Sequence, residues 1–107
     1  HGVAIIDITK QTQPIIYINK AFERITGYSE KHAIGQSITH LQGAKTDQVN
    51  QKRIDLAIRE QREEFVELES YRRNGEMFWC ELSVAPVNDS FGKVRHYVCI
   101  INDITQR

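Results

Sequence analysis

Short apolar runs, each the length of a β-strand, open the chain. The run Val3–Ile8 is apolar apart from Asp7, and Pro14–Ile18 repeats this character after a polar turn. Runs of this length on either side of turn residues predict a hairpin of two short strands. The second strand can begin at its proline, because proline is tolerated at a first or edge position.

Helical signals follow the hairpin. Asn19 is placed to cap a first helix that ends at Gly27, and Ser29 to cap a second short helix that ends at Gly35. Asparagine and serine side chains accept hydrogen bonds from free amides at a helix start, and glycine is the common residue just past a helix end. The sequence therefore predicts two short helices in quick succession.

A weak turn over Ser37–Gln42, ending at Gly43, precedes one longer helix. This helix is predicted to start at Thr46 or Asp47. Its apolar residues form a stripe between polar ones, as expected of a helix that packs one side against a core. The residues of the stripe are Val49, Ile54, Ala57 and Ile58.

The rest of the chain alternates in the manner of strands. Asn74-Gly75 is the strongest two-residue hairpin signal, and Asn88–Gly92 marks a second turn. The three strands are the segment from Phe65 to Tyr71, Met77–Val87 and Val94–Ile101. Two strands at one end and three at the other must share one antiparallel sheet, since neither group is stable alone. We expect an α+β domain whose helices cover one face of this sheet and enclose a cup.

Composition narrows the class of protein. The chain has 107 residues, of which 40% are apolar and 26% charged, as expected of one globular domain over 1–107. Its 14 basic and 14 acidic residues cancel, so no net field attracts nucleic acid or an anionic membrane. The apolar runs are too short to cross a membrane. Because the chain begins at His1 without an initiator Met, we expect a piece of a longer protein. The sequence shows no secretion signal, so we expect that protein to be cytoplasmic.

Several short motifs occur in a fixed order along the chain. They are Asn19-Lys20-Ala21-Phe22, Thr26-Gly27-Tyr28-Ser29, the stretch Gly-Gln-Ser-Ile-Thr-His-Leu-Gln-Gly from Gly35, Thr46-Asp47, Asn74-Gly75, Phe78-Trp79, Pro86, Gly92 and Asp103-Ile104-Thr105. Together with the order of elements they resemble the PAS domain over nearly the whole chain, and most closely its flavin-binding photosensory branch, the LOV domains. The resemblance implies a five-stranded antiparallel sheet with helices on one face and a sensory role without catalysis.

The chain departs from LOV domains where they hold flavin. Ile38 stands where the family carries the cysteine that forms the adduct with flavin. Two asparagines and a glutamine on the ring edge correspond to Ser70, Cys80 and Ile101, two phosphate-binding arginines correspond to Thr39 and Asp55, and Gln42 is retained. Each buried polar group of the ring left without a partner costs about 1–3 kcal/mol. We therefore expect no cofactor, with flavin (FAD or FMN) bound without the adduct as the alternative.

Strand alternation predicts the lining of the cup. The residues expected there are Ile38, Thr39, Leu41, Gln42, Leu68, Ser70, Cys80, Leu82, Cys99 and Ile101. They form either a filled apolar core or a site for a small, weakly polar metabolite near Ser70. Cys80 and Cys99 are expected to be free thiols, and as diagonal neighbours on adjacent strands they allow the hypothesis of a redox pair.

The opposite face of the sheet is predicted to be apolar too. Phe65, Trp79, Val98 and Ile100 should point outward. Large apolar residues on a sheet face indicate a cover. By the resemblance, this cover is a flanking helix or a second protomer, so we expect a homodimer.

The functional hypothesis is a signal-input or dimerisation module of a larger bacterial regulator. Asp103, Ile104 and Thr105 mark the expected junction to a C-terminal output domain, by family association a histidine kinase, a diguanylate cyclase or a cyclic-di-GMP phosphodiesterase. The four histidines lack metal-ligand spacing, and the sequence has no phosphate loop or nucleophile elbow. Arg72-Arg73 is interpreted as a solvated hairpin end. A flavin-based redox or light sensor is the alternative function.

Overall fold

The computed structural model describes residues 1–38 and 48–106. The strands are β1 (Gly2–Asp7), β2 (Ile15–Ile18), β3 (Glu64–Tyr71), β4 (Met77–Asn88) and β5 (Val94–Asp103), and the helices are α1 (Lys20–Thr26), α2 (Glu30–Ala33) and α3 (Gln48–Arg59). The predicted starts of the long helix at Thr46 or Asp47, and most of the predicted turn over Ser37–Gln42 with Gly43, lie outside the described residues.

All five strands form one antiparallel sheet in the order β2-β1-β5-β4-β3. The last strand therefore lies in the centre, where it joins the N-terminal hairpin to the C-terminal one. It pairs with β1 from Gly2 opposite Ile101 to Asp7 opposite His96. It also runs two residues past the predicted end at Ile101, because Asp103 still pairs with Cys80 of β4. The predicted sheet is confirmed.

The core lies between one face of this sheet and the helices. Its sheet residues alternate along the last three strands, as predicted, and each is at most 4% exposed. On the last three strands they include Val66, Leu68, Phe78, Cys80, Leu82, Val84, Tyr97, Cys99 and Ile101, and the first two strands add Ala4, Ile6, Ile15 and Ile18. Tyr97 ties the helical layer to the sheet, since its hydroxyl lies 3.1 Å from the carbonyl oxygens of both Ala57 and Arg62.

Helix α3 buries only part of its predicted stripe. Ile54, Ala57 and Ile58 are buried, but Val49 is 71% exposed. At 100° a residue, Val49 is rotated about 140° from Ile54, so both cannot face the sheet. Including Val49 in the stripe was wrong.

Asn19 begins α1 as predicted and also fixes the helix to β1. Its side-chain oxygen accepts hydrogen bonds from the amides of Phe22 and Val3, both at 2.9 Å. Gly27 ends the helix with a φ of 77°, a conformation open to glycine at little cost, and its amide donates to Glu23.

Helix α2 differs from its prediction at both ends. Ser29 precedes the helix, but its hydroxyl makes no capping bond and instead lies 3.0 Å from Nδ1 of His32. The helix ends at Ala33, before Gly35, because the chain then turns onto the edge of β2. There the Gly35 amide donates to Ile15 at 2.8 Å. None of the helices in the described part of the chain is long and apolar enough to cross a membrane.

Candidate functional site

A small cavity lies between the inner face of the sheet and α1. Its volume is about 20 Å³, and its lining is Phe22, Thr26, Ile38, Ser70, Tyr71, Phe78, Cys80 and Ile101. Four of these residues were predicted for the pocket: Ile38, Ser70, Cys80 and Ile101. A cavity of this size holds about one water molecule.

Sequence reasoning missed the residues that α1 and the start of β4 contribute. Phe22 and Thr26 are one helical turn apart, and both are buried against the sheet. Phe78 lies two positions before Cys80 and so faces the same side. The alternation already used for Cys80 was therefore a signal for Phe78.

The remaining predicted pocket residues divide into three groups. Cys99 lines a second small cavity of about 30 Å³, together with Ile54 and Asp55 of α3. Leu68 and Leu82 are buried in the core cluster. Thr39, Leu41 and Gln42 lie outside the described residues.

The polar chemistry of the first cavity centres on Ser70. This residue is 3% exposed, and its hydroxyl oxygen has no hydrogen-bond partner among the residues that the structure describes. It lies close enough to the Cys80 thiol to lower the pKa of that thiol, but burial outweighs this effect and raises the pKa to about 12. Burial likewise raises the pKa of Cys99 to about 12. Both thiols are therefore protonated at neutral pH and are poor nucleophiles.

The hypothesis of a redox pair is wrong. Cys80 is opposite Asp103, whereas Cys99 is opposite Val84, four residues further along β4. At 3.3 Å a residue this offset is about 13 Å, and a disulfide needs Cα atoms within about 7 Å. The two thiols lie on the same face of the sheet but are too far apart to form a disulfide.

The polar edge of a flavin ring needs several hydrogen-bond partners once it is buried, and the described cavity residues offer few. Ser70 offers one hydroxyl, but the Thr26 hydroxyl already donates to the Phe22 carbonyl at 2.8 Å. Ile101 is 4% exposed and has only hydrocarbon to offer. In the second cavity, Asp55 brings a carboxylate that would repel a phosphate. These residues do not fit flavin held in the LOV manner.

The C-terminal end of β5 carries a polar cluster next to the cavity. A guanidinium nitrogen of Arg72 lies 2.6 Å from a carboxylate oxygen of Asp103. Ile104 donates its amide to the Trp79 carbonyl at 2.9 Å, and the Trp79 amide donates to the Thr105 hydroxyl at 3.1 Å. The segment Asp103-Ile104-Thr105 is thus fixed to the start of β4.

Arg72 is the residue of this cluster that the sequence analysis misjudged as solvated. Its side chain is only 21% exposed, and its guanidinium lies 4.4 Å from the centre of the Phe78 ring. It also donates to the Ile25 carbonyl at the end of α1. The hydrogen bond to Asp103 is the largest of the effects that raise the pKa of Arg72. For Asp103, burial raises the pKa, but the bonds from Arg72 and Thr105 outweigh it and the pKa is lowered.

The outer face of the sheet carries an apolar band. Trp79 and Phe65 are 42% and 47% exposed, and Val98 and Ile100 are half-buried. The orientation predicted for all four residues is confirmed. Their role in an interface stays a prediction. Within the described ranges, no group of three or more His, Cys, Asp or Glu residues could hold a metal ion.

Comparison with known proteins identifies the family to which this fold belongs. The family model described as "PAS domain" matches residues 2–106, so the chain belongs to the PAS domain family. Within the family it is similar to LOV domains of blue-light receptors. The LOV domain of the Erythrobacter litoralis EL346 blue-light activated histidine kinase is 39% identical and superposes with a TM-score of 0.91, over 98% of this chain and 96% of that one.

Two curated relatives show how such domains occur in longer proteins. The bacterioopsin transcriptional activator of Halobacterium salinarum is 41% identical over 106 residues, which are 99% of this chain and 16% of that protein. Blue-light-activated histidine kinase 2 of Erythrobacter litoralis is 39% identical over 105 residues, which are 98% of this chain and 30% of that protein. The chain therefore spans less than a third of either relative.

Proposed function

We propose that this domain is a non-catalytic sensory module that controls an output domain joined to it through Asp103-Ile104-Thr105. The observation that carries the proposal is that the cavity and this junction share one stretch of β4. Phe78 and Cys80 line the cavity, and the main chain of Trp79 between them bonds to the Ile104 amide and to the Thr105 hydroxyl. A displacement of this stretch by a change in the cavity would move the junction with it.

Relatives support a kinase or a transcription regulator as the output. Blue-light-activated histidine kinase 2 and the bacterioopsin transcriptional activator each contain a region similar to this chain. The diguanylate cyclase and the cyclic-di-GMP phosphodiesterase expected from the sequence find no support in these two proteins. A cytoplasmic location and a homodimer formed through the outer sheet face remain parts of the proposal.

Substitution of Asp103 in the intact protein tests this role. Asp103→Asn removes the charge that pairs with Arg72, so we expect the basal output activity, or its response to the signal, to change. The matched control is Asp89→Asn, since Asp89 is also a hydrogen-bonded carboxylate but lies in the turn between β4 and β5. Equal output from the two variants and the parent protein would count against the junction.

A flavin-based light sensor is the second candidate, and the comparisons favour it over a domain without a ligand. The similar kinase and the similar LOV structure are both named as blue-light activated. Against it stand the cavity residues, which do not fit the ring edge. The visible spectrum of the purified protein decides between the two: oxidised flavin absorption supports the light sensor, and absorption by protein alone supports a different signal.

A further inference from the structure

A basic groove lies where the end of α1 meets the turn between β3 and β4. Its volume is about 480 Å³, and it is lined by Arg24, Gly27, Arg72, Arg73 and Asn74. This volume falls in the range of small-ligand sites. The groove lies on the surface and is separate from the cavity beneath α1.

Hydrogen bonds to the end of α1 fix the position of two of these arginines. The Arg73 amide donates to the Thr26 carbonyl at 2.8 Å, and the Arg72 side chain donates to the Ile25 carbonyl. These bonds satisfy the last carbonyl groups of α1, which otherwise lack partners. The hairpin and the helix end therefore hold the base of the groove as one unit.

Two guanidinium groups in the groove have no carboxylate partner within residues 1–38 and 48–106. Neither Arg24 nor Arg73 forms an ion pair with any residue that the structure describes. Glu23, the acidic residue of α1, is already paired with Lys20 and accepts a hydrogen bond from the Glu30 amide. The chain as a whole is neutral, so this local excess of positive charge comes from the fold.

His32 sits beside Arg73 but does not balance its charge. A guanidinium nitrogen of Arg73 lies 3.3 Å from Nε2 of His32. Because arginine only donates hydrogen bonds, this Nε2 must be the acceptor. The ring proton is then on Nδ1, which donates to the Ser29 hydroxyl at 3.0 Å. In this arrangement the imidazole accepts a hydrogen bond from Arg73 and orients its guanidinium.

We propose that the groove binds an oxyanion of the phosphate class between Arg24 and Arg73. Planar guanidinium groups bind phosphate oxygens through paired, charge-assisted hydrogen bonds, and neither of these two is paired with a carboxylate among the described residues. Arg72 lines the groove and also pairs with Asp103 at the end of β5. A bound anion therefore competes with Asp103 for Arg72 and loosens the junction. Only this competition rests on the proposed function; the binding does not.

Titration of the isotope-labelled protein with inorganic phosphate or ATP, at constant ionic strength set with chloride, tests the binding. We expect the amide signals of Gly27 and Arg73 to shift. Arg24→Gln and Arg73→Gln should each weaken binding about tenfold, as expected for the loss of one charge-assisted hydrogen bond. Arg59→Gln is the matched control, since Arg59 is an exposed arginine at the end of α3, and it should bind like the parent.

The result identifies the source of the anion as well as its site. Equal affinity for ATP and for tripolyphosphate, added as a third anion of similar charge, shows recognition of the phosphate groups alone, and tighter binding of ATP than of tripolyphosphate shows recognition of a nucleotide. Shifts that chloride alone reproduces, or equal weakening by all three arginine variants, would overturn the site.

Asp103→Asn tests the competition separately. Asp103→Asn removes one of the two ion pairs of Arg72 and leaves the pair with Glu76 at 2.6 Å, so phosphate binding should tighten about two- to fivefold, whereas Asp89→Asn should leave it unchanged. An unchanged phosphate affinity in Asp103→Asn would show that the anion and Asp103 do not compete for Arg72. It would not affect the proposal that the groove binds phosphate. Loss of signalling by Asp103→Asn with normal phosphate binding would support the output junction alone.

Discussion

Removal of the Ser70 hydroxyl should stabilise the protein. The side chain is 3% exposed and lines the cavity, and its hydroxyl has the weakly polar Cys80 thiol nearby but no hydrogen bond of normal geometry among the described residues. A buried polar group without a partner costs about 1–3 kcal/mol. Ser70→Ala removes the hydroxyl and loses only the contacts of one atom, so we expect the free energy of unfolding to rise by about 1 kcal/mol. For a domain of this size, that change corresponds to a melting temperature about 4–8 °C higher.

Urea denaturation followed by circular dichroism measures this change. The matched control is Ser83→Ala, since Ser83 is a half-buried serine on the outer face of β4 and reports the effect of alanine on a strand. A loss of stability in Ser70→Ala relative to this control would refute the reasoning. It would show that the hydroxyl has a partner in solution, either a water molecule in the cavity of about 20 Å³ or a bound ligand.

Three further predictions concern the thiols, the acid limb of stability and the contact between helix and sheet. Burial raises the pKa of both Cys80 and Cys99 to about 12. A maleimide reagent at pH about 8 should therefore label these thiols only as fast as the protein unfolds. Rapid labelling of the folded protein would contradict this prediction. The pKa of Asp103 is lowered on folding, so its stabilising contribution is complete above the unfolded pKa of about 3.9 and is lost as pH falls through the folded value. We measure the free energy of unfolding by urea denaturation between neutral pH and pH about 3. It should fall less for Asp103→Asn than for the parent protein, and an identical dependence on pH in the two proteins would argue against the ion pair. Tyr97→Phe removes a buried hydroxyl bonded to main-chain carbonyls and should cost about 0.5–1.5 kcal/mol, whereas Tyr17→Phe, on a residue 48% exposed, should cost little by the same measurement.

The strands and the first helix could be predicted because their signals are local. Alternation along a strand decides which face each side chain takes, and it placed Leu82 and Cys99 inside and Val98 outside. Asn19 and Gly27 each act within one helical turn, and both were found at the ends of α1. These features depend on neighbours in sequence, which the sequence displays directly.

The features that the sequence did not predict depend on register and on distant partners. Cys80 and Cys99 share a face as predicted, but their distance follows from a strand pairing that places Asp103 opposite Cys80. Arg72 looks like a solvated residue beside a turn, and only the fold brings it to Ile25 and Asp103. No local pattern distinguishes an arginine that pairs across the sheet from one that points into water.

Inward side chains form the cavity, whereas main-chain groups hold the junction, so the cavity can change while the junction is kept. The cavity contacts are side chains on the inner face, and replacement of Ser70 or Ile101 alters what the cavity can bind without touching the outer face. The contacts that hold Ile104 and Thr105 go to the main chain of Trp79, which every substitution at that position except proline retains. On the proposed function, a change of signal needs only inward side chains. The junction keeps the main-chain groups of Trp79 as partners, in addition to the ion pair between Arg72 and Asp103. On this reasoning, Trp79→Ala should weaken the apolar outer band but leave the Ile104 amide protected from hydrogen exchange, and loss of that protection would show that the indole ring itself holds the junction.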